Sequence, residues 1–176
     1  MDELFNKITT LMIDAFHDLG INIIRSEDAG DKPDYPYATW KILSVEGEND
    51  RAIIRTNESV SGNKTKITEK EKFNSVVSLT FYGIPQNIAQ IYLDVDTMIT
   101  WLRNEGRKKA ESYGLTIRLT SPNIQDRTTV LENKYEVRAG LDINILYIDV
   151  KERLIESVQK VNLQNTDSGE ELTVSN

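Results

Sequence analysis

Chemistry is suggested at one place in the sequence, where Asp126 and then Glu132-Asn133-Lys134 precede a long apolar run. Two acids beside a lysine are the metal-binding core of many nucleases, because the carboxylates hold Mg²⁺ and the amine orients a water. Here the acids fall in a polar connector, residues 124–133, and no basic groove for DNA surrounds them, so salt-bridging surface residues are the stronger reading. His17 is the only histidine and lacks partners for zinc or a triad, which leaves it a structural or solvent role. Without cysteine there is no disulfide, thiol nucleophile or Cys-ligated zinc. No P-loop, GxGxxG, HExxH or GxSxG occurs, and no cofactor is expected. Arg107-Lys108-Lys109 reads as the last turn of a helix, favoured by its dipole, rather than as a phosphate site. Trp40 and Trp101, on a strand and a helix, read as core or interface residues.

The elements that would position these residues centre on Tyr135 to Asp149. Tyr135, Val137, Ala139, Leu141, Ile143, Ile145 and Tyr147 alternate with mostly polar neighbours, the period of a half-buried strand. At ~3.3 Å per residue such a strand runs roughly 50 Å, more than a small domain usually needs. After Asn144 the alternation fails, since Leu146 and Ile148 are apolar too, so the second half needs cover on both faces or a partner.

Towards the N-terminus, Leu4, Phe5, Ile8, Leu11, Met12, Ala15, Phe16 and Leu19 recur at helical spacing before Gly20. Ile21 to Ile24 can form a short strand, and Tyr35 to Val45 a longer one with Pro36 at its start. Residues 46–72 are the most polar stretch. They read either as a solvated hairpin or loop, or as an arm that orders against a neighbouring subunit through Ile53, Ile54 and Ile67. From Thr65 the pattern leads without a break into a strand over Phe73 to Tyr82. Asn87 and Gln90 resemble a capping box for a helix carrying Ile88, Ile91, Tyr92, Val95, Met98, Ile99 and Leu102, which ends near Gly106 or runs on to Gly114. Leu115 to Thr120 is a further strand. Beyond Lys151 the pattern fits a helix or a hairpin, and the hairpin over 157–174 is preferred.

The expectation is therefore an α+β domain over residues 1–150 and a C-terminal extension over 151–176. Its sheet is mainly antiparallel with about four long strands, two helices lie on one face, and a polar β-arm extends from it. Strands that outrun their own sheet expose unpaired N–H and C=O groups, which a second copy can satisfy. The expected subunit contacts are Ile53, Ile54 and Ile67 in the arm and Tyr135, Val137, Leu146 and Ile148 on the long strand. A different surface gripped on each neighbour closes such contacts into a ring. Net charge is -7, with few and scattered Lys and Arg, which suits a conduit past which DNA slides better than a protein that grips phosphates. No run is long enough to span a bilayer and no signal peptide is visible, so a cytoplasmic site of synthesis is expected.

Three stretches resemble the tail terminator or neck terminator proteins of tailed bacteriophages: Tyr35-Pro36-Tyr37-Ala38-Thr39-Trp40, Ser78-Leu79-Thr80-Phe81-Tyr82-Gly83, and Asp126-Arg127-Thr128 leading to Tyr135 through Ile143. The resemblance covers about residues 1–150. It implies a non-enzymatic virion protein, a hexameric ring that ends growth of the tail tube and joins the tail to the head connector or stopper. DNA would pass through its lumen without specific binding, and no catalytic or metal residues come with the family. The alternatives are another head–tail joining or minor tail protein, a metal-dependent nuclease, and a small monomeric binding module.

Overall fold

The computed structural model describes residues 2–28, 31–47, 54–60, 64–119, 124–131, 134–156, 160–164 and 171–175. The chain forms two units, residues 1–50 with 72–148 and residues 51–71 with 149–176. The order of elements is α1 (Asp2–Leu19), β1 (Ile23–Arg25), β2 (Tyr37–Gly47), β3 (Ile54–Val60), β4 (Lys64–Gly83), α2 (Ile88–Arg103), α3 (Glu105–Ser112), β5 (Leu115–Arg118), β6 (Gln125–Asp126), β7 (Thr129–Leu131), β8 (Lys134–Glu156), β9 (Lys160–Gln164) and β10 (Glu171–Ser175).

In the first unit the strand order is β1-β2-β4-β8-β5, and β6 and β7 also pair with β8. The class is α+β as expected, but the sheet is mixed, because β1 runs parallel to β2. The intervening residues 26–36 are about as many as a parallel return needs. Among the described residues only β4 and β8, with 20 and 23 residues, are very long, and β2 adds 11, which is fewer than the expected four long strands. Val77, Leu79 and Phe81 of β4 and Ala139, Leu141, Ile143 and Ile145 of β8 are buried, as strict alternation requires. They form one core with Leu4, Ile8, Leu11, Met12 and Ala15 of α1 and Ile91, Val95, Met98, Ile99 and Leu102 of α2. Burying a side chain such as Phe81 contributes about 2–3 kcal/mol. α1 stops where expected, at Gly20 (φ 66°), whose N–H bonds Phe16 O at 2.9 Å.

Three α-helices form among the described residues, where two were expected. The second is broken at Asn104 (φ -114°, ψ -98°), before either expected end. Trp101 lies at this break, its indole against Gly106. A Cβ there would come within 2.4 Å of the ring. Trp101 Nε1 also donates to Asp18 Oδ2 at 2.8 Å, which ties α2 to α1, while Lys109 Nζ donates to Asp18 Oδ1 at 3.0 Å and Tyr113 Oη to Asp14 Oδ2 at 2.5 Å, which ties α3 and the residue after it to α1. Lys109 is thus committed to carboxylates, while Arg107 and Lys108 pair with Glu111 and Glu105. At an open helical site, alanine for glycine stabilises by about 1 kcal/mol. Gly106→Ala is expected instead to destabilise by about 1–2 kcal/mol and lower Tm by about 3–6 °C, read by thermal unfolding. A stabilised variant would show that the indole does not occupy this place.

The expected capping box does not form. Asn87 makes no side-chain cap; a single 3-10 turn over Pro85–Asn87 opens the helix, and Gln90 Nε2 donates instead to Asp94 Oδ1 at 2.7 Å. The connector expected at 124–133 contains two strands that pair antiparallel with β8, joining Gln125 to Gly140, Asp126 to Ala139 and Thr129 to Glu136.

In the second unit β3 pairs antiparallel with Lys64–Lys70 of β4, and all seven of its residues are exposed. Ion pairs link Arg55 to Glu69 at 2.8 Å, Arg153 to Glu69 at 3.2 Å and Lys66 to Glu152 at 2.9 Å. At exposed positions each such pair contributes about 0–1 kcal/mol. Residues 151–156 continue β8 as strand rather than helix. β9 and β10 form the C-terminal hairpin, with Val161 opposite Val174 and Leu163 opposite Leu172.

Candidate assembly surface

Two polar hubs occupy the sheet face that alternates with the core. The first is Glu136, which β7 and β8 place at only 4% exposure. Its Oε1 accepts from Lys32 Nζ and from Tyr35 Oη, and its Oε2 from Arg138 Nε at 2.6 Å. Burial pushes its carboxyl pKa up, but the bonds from Lys32, Tyr35 and Arg138 and the charge of Arg138 outweigh burial and hold it below the usual carboxylate range. Arg138 lies 5.1 Å over the Tyr82 ring, and Tyr82 stacks on Tyr37, its cross-strand partner, at 4.7 Å and 1°.

The second hub is Arg127. Its Nη1 donates to Ser78 Oγ and Thr80 Oγ1, both at 2.7 Å, and to Leu79 O at 3.3 Å. Its Nη2 donates to Asp142 Oδ1 at 2.7 Å and Gln125 Oε1 at 2.8 Å. Gly140 leaves the room for this, since a Cβ there would lie 2.3 Å from Leu79 O and 2.9 Å from Arg127 Nη1. Asp142 is pulled below the ordinary carboxylate range, the bonds from Ser78 and Arg127 outweighing its burial. Each hub spends its donors and acceptors on its own neighbours, so it locks adjacent strands together and offers no free base or nucleophile.

Of the two acids singled out for chemistry, Asp126 alone falls among the described residues. Asp126 is exposed; its Oδ1 accepts from Thr128 N–H at 2.9 Å, and the bonds with Thr128 lower its pKa. Glu132 and Asn133 lie outside the described residues, and among those described no cluster of three His, Asp or Glu is placed to hold a metal.

What remains open to a partner is apolar surface. Of the seven expected contact residues, Tyr135 (65% exposed), Ile148 (53%) and Ile54 (60%) stand in solvent and Leu146 is half-buried. Val137 (4%) and Ile67 (8%) are buried within the chain, and Ile53 lies outside the described residues. Pattern reading did not single out Val150, Leu154 and Ile155 on the last part of β8, or Ile13 on α1, all of them exposed. The signal for the first three was present: apolar residues persist after Asn144 on both parities of the strand.

A profile of the phage neck terminator protein family matches residues 2–171. The chain belongs to this family. No curated protein matches it. As a neck terminator it has a structural role in the tail and neck of the virion, which accords with hubs that fasten strands rather than react. The three stretches that carried the resemblance in sequence meet in this neck terminator around those hubs. Tyr35 and Tyr37 border Glu136, Ser78 and Thr80 receive Arg127, and Gly140 and Asp142 complete the second hub. No helix among the described residues is long and apolar enough to cross a membrane.

Proposed function

We propose that copies of this chain close into a ring, six by the family resemblance, at the head-proximal end of the phage tail. The ring ends growth of the tail tube, joins the tail to the head connector or stopper, and leaves a channel through which DNA passes without specific contacts. Assembly takes place in the host cytoplasm. The observation that carries this reading is the set of solvent-exposed apolar residues in the second unit, Ile54 and Val60 on β3 and Val150 and Leu154 on the end of β8. Exposed apolar residues on long strands are met by a protein partner, and in a closed assembly that partner is the next copy. The net charge of -7 supports a channel that does not hold DNA.

The test is the particle mass of the purified protein in solution, with negative-stain images of the same sample. A discrete multiple of the chain mass with an annular image is expected; a monomer persisting at millimolar concentration overturns the reading. Ile54→Asp is expected to weaken assembly about tenfold or more, the scale of one interface anchor, and to leave Tm nearly unchanged because the side chain is exposed. Sedimentation across a dilution series and thermal unfolding separate the two effects.

A further inference from the structure

β3 and β1 each offer a strand edge with no partner strand among the described residues. β3 pairs only with β4, and β1 is the outermost strand of its sheet. The free edge of β1 can be specified. Asn22 O accepts from Ala38 N–H at 2.7 Å, and Ser26 N–H donates to Trp40 O at 2.9 Å, so residues 22, 24 and 26 turn towards β2. Because alternate residues address opposite edges, Ile23 and the N–H of Arg25 face outwards. Beside this edge lies an apolar groove of about 400 Å³ between α1 and β1, with Phe5, Met12, Ile13, Ile23, Ile24 and Trp40 in its walls. Ile13 stands exposed at its rim.

Charge selects the occupant. Residues 27–34, which follow β1, hold four acidic residues and one basic; of these Asp28, in the groove wall, is paired with Arg25 at 3.0 Å, and Glu27, Asp31 and Asp34 carry the negative charge. Residues 51–71 hold five basic and three acidic, and remain net positive after Lys66 pairs with Glu152, in a chain of net charge -7. β3 belongs to that stretch, and its exposed Ile54 and Val60 fall on one strand face, six residues apart. The Phe5–Ile13 length of α1 spans about 12 Å, enough to take one apolar end of β3.

We infer that β3 of one copy adds to the open edge of β1 in the next, seating Ile54 or Val60 in the α1–β1 groove while its basic arm faces the acidic segment 27–34. The inference rests on the ring reading and names the two surfaces that would make its repeating contact. Donor and acceptor are different parts of the chain, so each copy gives one and receives one, as a closed ring demands.

The chain has no cysteine, which makes cross-linking selective. One preparation carries Ile13→Cys; a second carries Ile54→Cys and a third Val60→Cys, all at exposed positions. Mixing the first with each of the others under mild oxidation, at a concentration where the unmodified chain assembles, is expected to give a covalent dimer with at least one donor. The yield should exceed that of any preparation alone by about tenfold, since a disulfide needs Cα atoms within about 7 Å. Rings of the expected mass with no dimer from either mixture overturn the inference and leave the ring reading standing. Absence of any assembled species overturns both.

Discussion

Replacing Gly140 with alanine is expected to cost about 3 kcal/mol and lower Tm by about 6–12 °C. The added Cβ would sit 2.3 Å from the carbonyl oxygen of Leu79 and 2.9 Å from Nη1 of Arg127. The first obstacle is backbone in the middle of β4 and cannot rotate away, so β4 and β8 must separate locally. The second is the guanidinium that holds Ser78, Thr80 and Asp142, so the same methyl group also strains the Arg127 hub. Because both penalties arise at one place, Gly140→Ala combined with Arg127→Met should cost less than the two single changes added together. Thermal or denaturant unfolding of the four proteins measures this. A Gly140→Ala chain as stable as the original would mean that β4 and β8 do not approach here.

The long elements were legible because their patterns repeat. β8 declared itself by alternation over many residues, and α1 by apolar spacing closed by Gly20. Elements of two or three residues, such as β6 and β7, offer no period to detect, and the parallel sense of β1 is invisible in three residues. The break at Asn104 lies beside an indole folded over Gly106, a packing contact that helical periodicity does not encode. The hubs were hidden for a related reason, since Lys32 and Glu136 stand 104 positions apart. The quoted stretches around Tyr35, Ser78 and Arg127 contained most of their residues, but their meaning as strand fasteners appears only once β2, β4 and β8 lie side by side.

Glu136→Gln is expected to destabilise the chain by about 2–3 kcal/mol at neutral pH, through the loss of a carboxylate among two cations and a phenol. The figure falls below that for a fully buried pair because Lys32 is half-exposed and keeps much of its hydration. Gln is nearly isosteric, yet its amide group presents donors to Lys32 and Arg138, which are themselves donors. The pH dependence identifies the cause. Since the folded-state pKa of Glu136 lies below its unfolded value, near 4.5, its stabilisation is complete above that value and is lost as pH falls through the folded one. The gap between original and variant should therefore be widest above about pH 5 and close in more acidic solution, in unfolding curves taken at matched ionic strength. Curves that stay parallel through the acidic range would assign the loss to packing instead. Lys32 lies between two tyrosines, 4.5 Å from the Tyr35 ring centroid and 5.9 Å from that of Tyr37. Releasing it from Glu136 should therefore also loosen the segment that leads into β2.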